Sequence, residues 1–270
     1  MILFDAQYRP LFDRLGLAGE RAVEDYFIGV DRSRKTGVVI KQVRMAMPDG
    51  AELEVFYKQY HYRTPSWRFL GRKSKAKCEY QNYEVFDGLG VRAADRVACG
   101  EQRDLLGRLR SAFIITKAVP GARTLGDFLR EHCPDRSSSE SRALRDCLLR
   151  QLAAMTRRIH RARFFHHDLV WRNILVNWDP PEEPKVWWID CPRGRFGYWP
   201  PLDRRWMLKD LALLNRSAIQ WCTAGERLEF VKHYLDQSRL DDRAKRLVHD
   251  TLRFRKDRWP PEWDQEPGVD

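Results

Sequence analysis

Hydrophobic positions follow two different rhythms along the chain. Residues 27–30, 38–45 and 52–60 are short runs rich in Val, Ile and aromatic side chains, and runs of that kind between polar turns predict strands. Residues 31–37, and then Pro48, Asp49 and Gly50, supply the turns, so the first third reads as an antiparallel meander. Over residues 73–87 the period lengthens. Ala76, Tyr80, Tyr83 and Phe86 fall on one face of a predicted helix, with Gly88 and Gly90 closing it. Residues 112–116 return to a continuous apolar strand, and Pro120 and Gly121 then predict a joint.

Beyond the joint the pattern is mainly helical. Thr124 precedes a short helix carrying Leu125, Phe128 and Leu129. Ser137 and Glu140 form a capping-box pair ahead of a long helix whose Leu144, Leu148, Leu152, Met155 and Ile159 mark a core-facing stripe. Residues 173–177 and 186–190 read as two short strands around a turn at Pro180 and Pro181. The predicted fold is α+β and two-lobed: a β-rich N-lobe over residues 1–118 with one helix, and a larger, mainly helical C-lobe over residues 119–270.

Composition narrows the setting. A hydrophobic fraction of 43% over 270 residues is enough for a core of that size. Charged residues interrupt the first nine positions, and no run is long and apolar enough to span a bilayer, which predicts a cytoplasmic protein. Six cysteines without Cys-x-x-Cys spacing predict reduced thiols and no zinc or disulfide framework. The excess of 49 Lys and Arg over 38 Asp and Glu predicts an anionic partner. The basic residues cluster at Arg68, Arg72, Lys73, Lys75 and Lys77, at Arg157, Arg158, Arg161 and Arg163, and at Arg253, Arg255, Lys256 and Arg258. No base-stacking motif accompanies them, so nucleic acid is not the expected partner.

The chemistry sits between the long helix and the last two strands. Asp168, Asn173 five positions later, and Asp190 at a strand end are the parts needed to move a phosphoryl group from ATP to a hydroxyl. Asp168 is the expected catalytic base, and Asn173 and Asp190 the expected ligands of Mg2+, a hard cation that takes oxygen donors and keeps several waters. Lys58 lies inside an aromatic strand, an awkward place for a charge unless it serves the phosphates of ATP. At about 100° per residue, Glu79 falls beside the apolar face of the next helix whereas Glu84 points away, so Glu79 is the expected partner of Lys58. The glycine-rich phosphate cover is missing: only Lys35, Thr36 and Gly37 occupy the expected turn.

Taken in order, Lys58, residues 72–80, Leu89 to Val91, residues 113–116, the loop 166–173, Asp190, and the later Arg204, Arg205, Trp206, Lys209, Asp210 and Leu211 resemble the bacterial lipopolysaccharide kinase family over residues 25–235. The resemblance implies a protein-kinase-like fold and phosphorylation of a heptose or 3-deoxy-D-manno-octulosonic acid of the lipopolysaccharide inner core. It supports Lys58, Glu79, Asp168 and Asp190 in the roles above. At Asn173 the chain follows the general kinase pattern, where heptose kinases carry other residues as well. A core glycolipid acceptor implies a peripheral enzyme on the cytoplasmic face of the inner membrane, where cationic surface is attracted to the anionic leaflet. Trp67, Phe69 and Leu70 beside Arg68, Arg72 and Lys73 are the expected contact.

Two other readings stay open. One is a protein kinase or a small-molecule phosphotransferase of the aminoglycoside or choline type, although no Ala-Pro-Glu motif or long activation segment follows Asp190. The other is a kinase-like module that binds without catalysis.

Overall fold

A computed structural model describes residues 2–28, 37–47, 50–62 and 70–259. The predicted phosphate-cover turn at Lys35 and Thr36, and the proposed membrane contact at Trp67, Arg68 and Phe69, lie outside these residues. The chain divides into two compact units, one of residues 1–85, 93–119 and 191–193, the other of residues 86–92, 120–190 and 194–270.

In the first unit, strands β1 (Ile2–Phe4), β2 (Gly37–Ala46), β3 (Glu52–His61), β4 (Arg96–Arg103) and β5 (Leu109–Lys117) form one antiparallel sheet in the order β1-β4-β5-β3-β2. Helices α1 (Arg9–Arg14) and α2 (Glu20–Ile28) supply Leu11, Phe12, Val23 and Phe27 to a core shared with Val55, Tyr57, Phe113 and Ile115 of the sheet. Phe27 stacks on Tyr57 with ring centres 4.7 Å apart; burying one such ring stabilises by about 1.5–3 kcal/mol. Residues 27 and 28 are therefore the end of a helix, not the start of the strand expected at 27–30; residues 29 and 30 lie outside the described residues. Val23 and Phe27, one helical turn apart, anchor α2 instead.

Period-two alternation gives β3 two roles. Leu53, Val55, Tyr57 and Gln59 are buried, and Val55 and Tyr57 belong to the core built on α1 and α2. Lys58 and Tyr60 lie on the other face, toward Glu79 of α3 (Lys75–Gly88). Ala76, Tyr80, Tyr83 and Phe86 of α3 are all buried, as their spacing predicts.

The second unit holds α4 (Leu125–His132), α5 (Ser139–Arg161), α6 (Pro200–Trp221), α7 (Ala224–Leu235) and α8 (Asp242–Arg258). Its strands are β6 (Arg123–Thr124), β7 (Phe164–Phe165), β8 (Ile174–Asn177), β9 (Lys185–Trp188) and β10 (Arg195–Phe196). β6, β8 and β9 make one small sheet, and β7 pairs with β10. The cap of α5 differs from the sequence reading. Ser138 accepts from the Ser141 N–H, while Ser137 folds back onto Asp135 with its hydroxyl 2.7 Å from the carboxylate. Leu148, Leu152, Met155 and Ile159 are buried along α5, and Leu144 is half-buried.

Candidate active site

Lys58 and Glu79 meet within the first unit. The Lys58 Nζ lies 3.2 Å from Glu79 Oε2 and 3.5 Å from Oε1. Glu79 is 2% exposed, so its charge needs more than one partner. The hydroxyls of Tyr60 and Tyr83 donate to its two oxygens at 2.9 and 3.1 Å. The Tyr60 ring also lies 5.2 Å from the Lys58 ammonium, a cation–π arrangement that adds to the same polar cluster. Glu84 takes no part and pairs with Arg96 at 3.3 Å.

Asp168, Asn173 and Asp190 belong to the second unit, where backbone bonds tie them together. Asn173 Nδ2 donates to the Asp168 carbonyl at 2.9 Å, and the Ile189 N–H donates to the Asn173 carbonyl at 3.0 Å. The loop therefore cannot shift Asp168 without disturbing Asn173 and the strand end before Asp190. His167 and Asp190 have φ of 66° and 58°. Left-handed backbone at side-chain-bearing residues costs on the order of 1–3 kcal/mol and persists where surrounding structure imposes it.

Sequence reasoning did not assign a role to the residue that holds the loop at His166 and His167. Asp210 of α6 is fully buried and accepts the His166 and His167 N–H groups, one on each carboxylate oxygen, both at 2.8 Å. His160 Nε2 lies 3.4 Å from the same carboxylate. The available signal was an aspartate between Leu208 and Leu211, where helix α6 turns an apolar face inward. Burial pushes the His166 imidazole down, against the opposing influence of Asp210, Asp168 and Asp190. His167 is pushed down to about 4, also chiefly by burial, with Lys209 and Arg195 adding to it and Asp210 opposing. Both rings are neutral near pH 7 and serve as packing pieces: His166 packs against Phe86 and Trp188, and His167 edges onto Trp206 at 4.9 Å.

Downstream of Asp190 the surface is aromatic and basic. Phe196, Tyr198 and Trp199 are more than half exposed. Tyr198 packs 5.8 Å from Trp206, and the Arg195 guanidinium lies 5.6 Å from the same ring. Trp206 thus links this ridge to His167, the neighbour of Asp168. Among the described residues no group of three or more His, Cys, Asp or Glu is placed to hold a metal, and no helix is long and apolar enough to cross a membrane. All six cysteines are free thiols.

A family model described as the lipopolysaccharide kinase (Kdo/WaaP) family matches residues 52–234. No curated protein matches the chain in sequence. Among solved structures, a chain described as WaaP in complex with acyl carrier protein superposes with a TM-score of 0.65 at 21% identity, covering 94% of each chain. The PAN3 pseudokinase of Drosophila melanogaster aligns at 16% identity with a TM-score of 0.44, over 82% of this chain and 58% of its own.

Proposed function

The chain belongs to the lipopolysaccharide kinase (Kdo/WaaP) family, and we propose that it transfers the γ-phosphoryl group of ATP to a sugar hydroxyl of the lipopolysaccharide inner core, on a heptose or 3-deoxy-D-manno-octulosonic acid. The observation that carries this reading is the loop around Asp168, clamped by Asp210 and bonded to Asn173. A positioned carboxylate is what an attacking hydroxyl needs.

In this mechanism Asp168 accepts the hydroxyl proton as the sugar oxygen forms its bond to the γ-phosphorus. The bond from that phosphorus to the bridging oxygen breaks, and ADP leaves with the electron pair. Lys58, oriented by Glu79, offsets charge on the α- and β-phosphates. Asn173 and Asp190 would supply two oxygen donors, a set that suits Mg2+, a hard cation that takes oxygen ligands and keeps several waters. When bound, the ion offsets negative charge on the phosphates. With Asn173 Nδ2 committed to the Asp168 carbonyl, the Oδ1 of the same amide is the atom left for that role.

The acceptor sugar lies against Phe196, Tyr198 and Trp199, whose exposed rings offer apolar faces to a pyranose, with Arg195 available to an acidic substituent. The excess of basic residues draws the enzyme to the anionic leaflet that carries this glycolipid. An acyl carrier partner, as seen for the WaaP chain of similar fold, is part of the same reading. Helices α5 to α8 line an open, almost wholly apolar cavity of about 270 Å³, with Leu152, Leu211, Leu214, Phe230, Leu247 and Leu252 on its walls. Asn215 Nδ2 and Arg227 Nε, also at its wall, have no hydrogen-bond partner among the described residues, which suits an acyl chain ending in a polar group.

The test is incubation with labelled ATP and dephosphorylated core glycolipid, beside a generic protein substrate and an aminoglycoside. Label in the glycolipid alone supports the proposal; label in the protein or the aminoglycoside alone counts against it.

A further inference from the structure

A second cavity of the helical unit has a different chemistry. It measures about 430 Å³ and is lined by Arg157 and Arg161 of α5, Arg204 of α6, and Arg243 and Arg246 of α8. Two of these charges are already answered: Arg157 pairs with Asp236 at 2.6 Å, and Arg204 pairs with Asp250. Arg161, Arg243 and Arg246 make no ion pair among the described residues. Asp241, the acidic side chain in the lining, is committed to the Ala244 N–H at 2.7 Å, where it caps α8. Asp236 also acts on Arg161 through space, so five arginines line the concavity against the three carboxylates of Asp236, Asp241 and Asp250, and the excess of positive charge favours an anion.

We propose that this cavity binds a phosphate ester. Guanidinium groups match phosphate oxygens in paired hydrogen bonds. A water occupies about 30 Å³ of liquid, so the volume takes a phosphate together with the glycerol or sugar that carries it. The floor of the cavity is His160, whose Nδ1 lies 2.8 Å from the Tyr234 hydroxyl and whose Nε2 faces Asp210. The site thus shares its floor with the clamp on the loop of Asp168, and it is separate from the residues assigned to phosphoryl transfer.

Two sources present this chemistry, a soluble phosphate ester and a phospholipid head group. Binding is measured by calorimetry with glycerol 3-phosphate and by co-sedimentation with phosphatidylglycerol vesicles against phosphatidylcholine vesicles. The proteins compared are the wild type, an Arg161→Gln/Arg243→Gln/Arg246→Gln variant, and Lys245→Gln, an exposed change on α8 outside the cavity. The expected result is a loss of roughly tenfold or more in affinity in the triple variant, as removal of charge-assisted contacts implies, with Lys245→Gln unchanged. Loss confined to glycerol 3-phosphate assigns a soluble ester, and loss confined to phosphatidylglycerol assigns a lipid head group. If the triple variant melts early, the single Arg161→Gln change carries the same comparison. The proposal is overturned if the wild type binds neither probe, if the arginine variants bind as the wild type does, or if Lys245→Gln loses as much. Asp168→Asn retains this binding, which separates failure here from failure of the proposed activity.

Discussion

Asp210→Ala probes the clamp beneath the Asp168 loop. The carboxylate is fully buried and receives the N–H groups of His166, itself fully buried, and His167, 8% exposed. Removing it leaves two buried backbone donors without an acceptor, at about 1–3 kcal/mol each, so the expected loss is about 2–6 kcal/mol. Set against the usual domain stability of roughly 5–15 kcal/mol, this is a large fraction. Asp210→Asn keeps the shape and one acceptor oxygen but turns an NH2 toward the second donor, so its cost falls near half the alanine value. Urea denaturation followed by circular dichroism measures both. The pH dependence is a second signature. Burial alone raises the Asp210 carboxyl, but the hydrogen bond from His160, and the charge that His160, His166 and His167 carry once protonated in acid, outweigh it and hold the group below the ordinary aspartate value. A depressed carboxyl contributes stability that is complete above the unfolded value of about 3.9 and is lost as pH falls through the folded value. The gap between wild type and Asp210→Ala therefore narrows in acid. An alanine variant within about 0.5 kcal/mol of wild type at pH 7 would refute the reasoning, because surface changes alone reach that size.

Three further changes test other parts. Lys58→Met leaves Tyr60 and Tyr83 donating to Glu79 and keeps the fold, while phosphoryl transfer falls by about 100-fold or more, the usual cost of one charge-stabilising contact; an unchanged rate at saturating ATP would contradict the assigned role. His167, held down to about 4, contributes stability that is complete above its unfolded value of about 6.5 and is lost as pH falls toward 4. His167→Gln accordingly flattens the dependence of Tm on pH over that window, and identical slopes would argue otherwise. At Gly100 of β4 an added Cβ would meet the Phe113 ring at 2.5 and 2.7 Å, so Gly100→Ala costs about 1–3 kcal/mol as overpacking, read as a lower denaturation midpoint.

The elements legible from sequence are those whose period runs long enough to be counted. β2 and β3 alternate over ten residues each, and α3 repeats its apolar face through Phe86. The run 27–30 offered four positions, too few to separate a period of two from 3.6, and its composition favoured a strand where residues 27 and 28 close a helix. β4 escaped notice because Gly100, Glu101 and Gln102 break its apolar run, although neighbouring strands bury Val97, Ala98 and Cys99. At the α5 cap two serines compete, and the Ser137–Glu140 spacing pointed to the wrong one because Asp135 captures Ser137. The candidate site residues stood out because their types are costly where they occur: a lysine in an aromatic strand, a glutamate beside an apolar face, an aspartate ending a hydrophobic strand. Left-handed backbone at His167 and Asp190, and the contact of Asp210 with a loop more than 40 residues earlier, are products of tertiary packing that no local pattern carries.

The central claim is that Asp168 accepts a sugar hydroxyl proton during transfer from ATP. Asp168→Asn keeps the shape of the side chain and removes the base, and its backbone contacts with His166 and Asn173 remain. Rates of label transfer from ATP to core glycolipid, with matched denaturation midpoints, compare the two proteins directly. The account predicts transfer by the wild type and a loss of about 100-fold or more in the variant. Equal rates in the two proteins, or no transfer by the wild type, would contradict it.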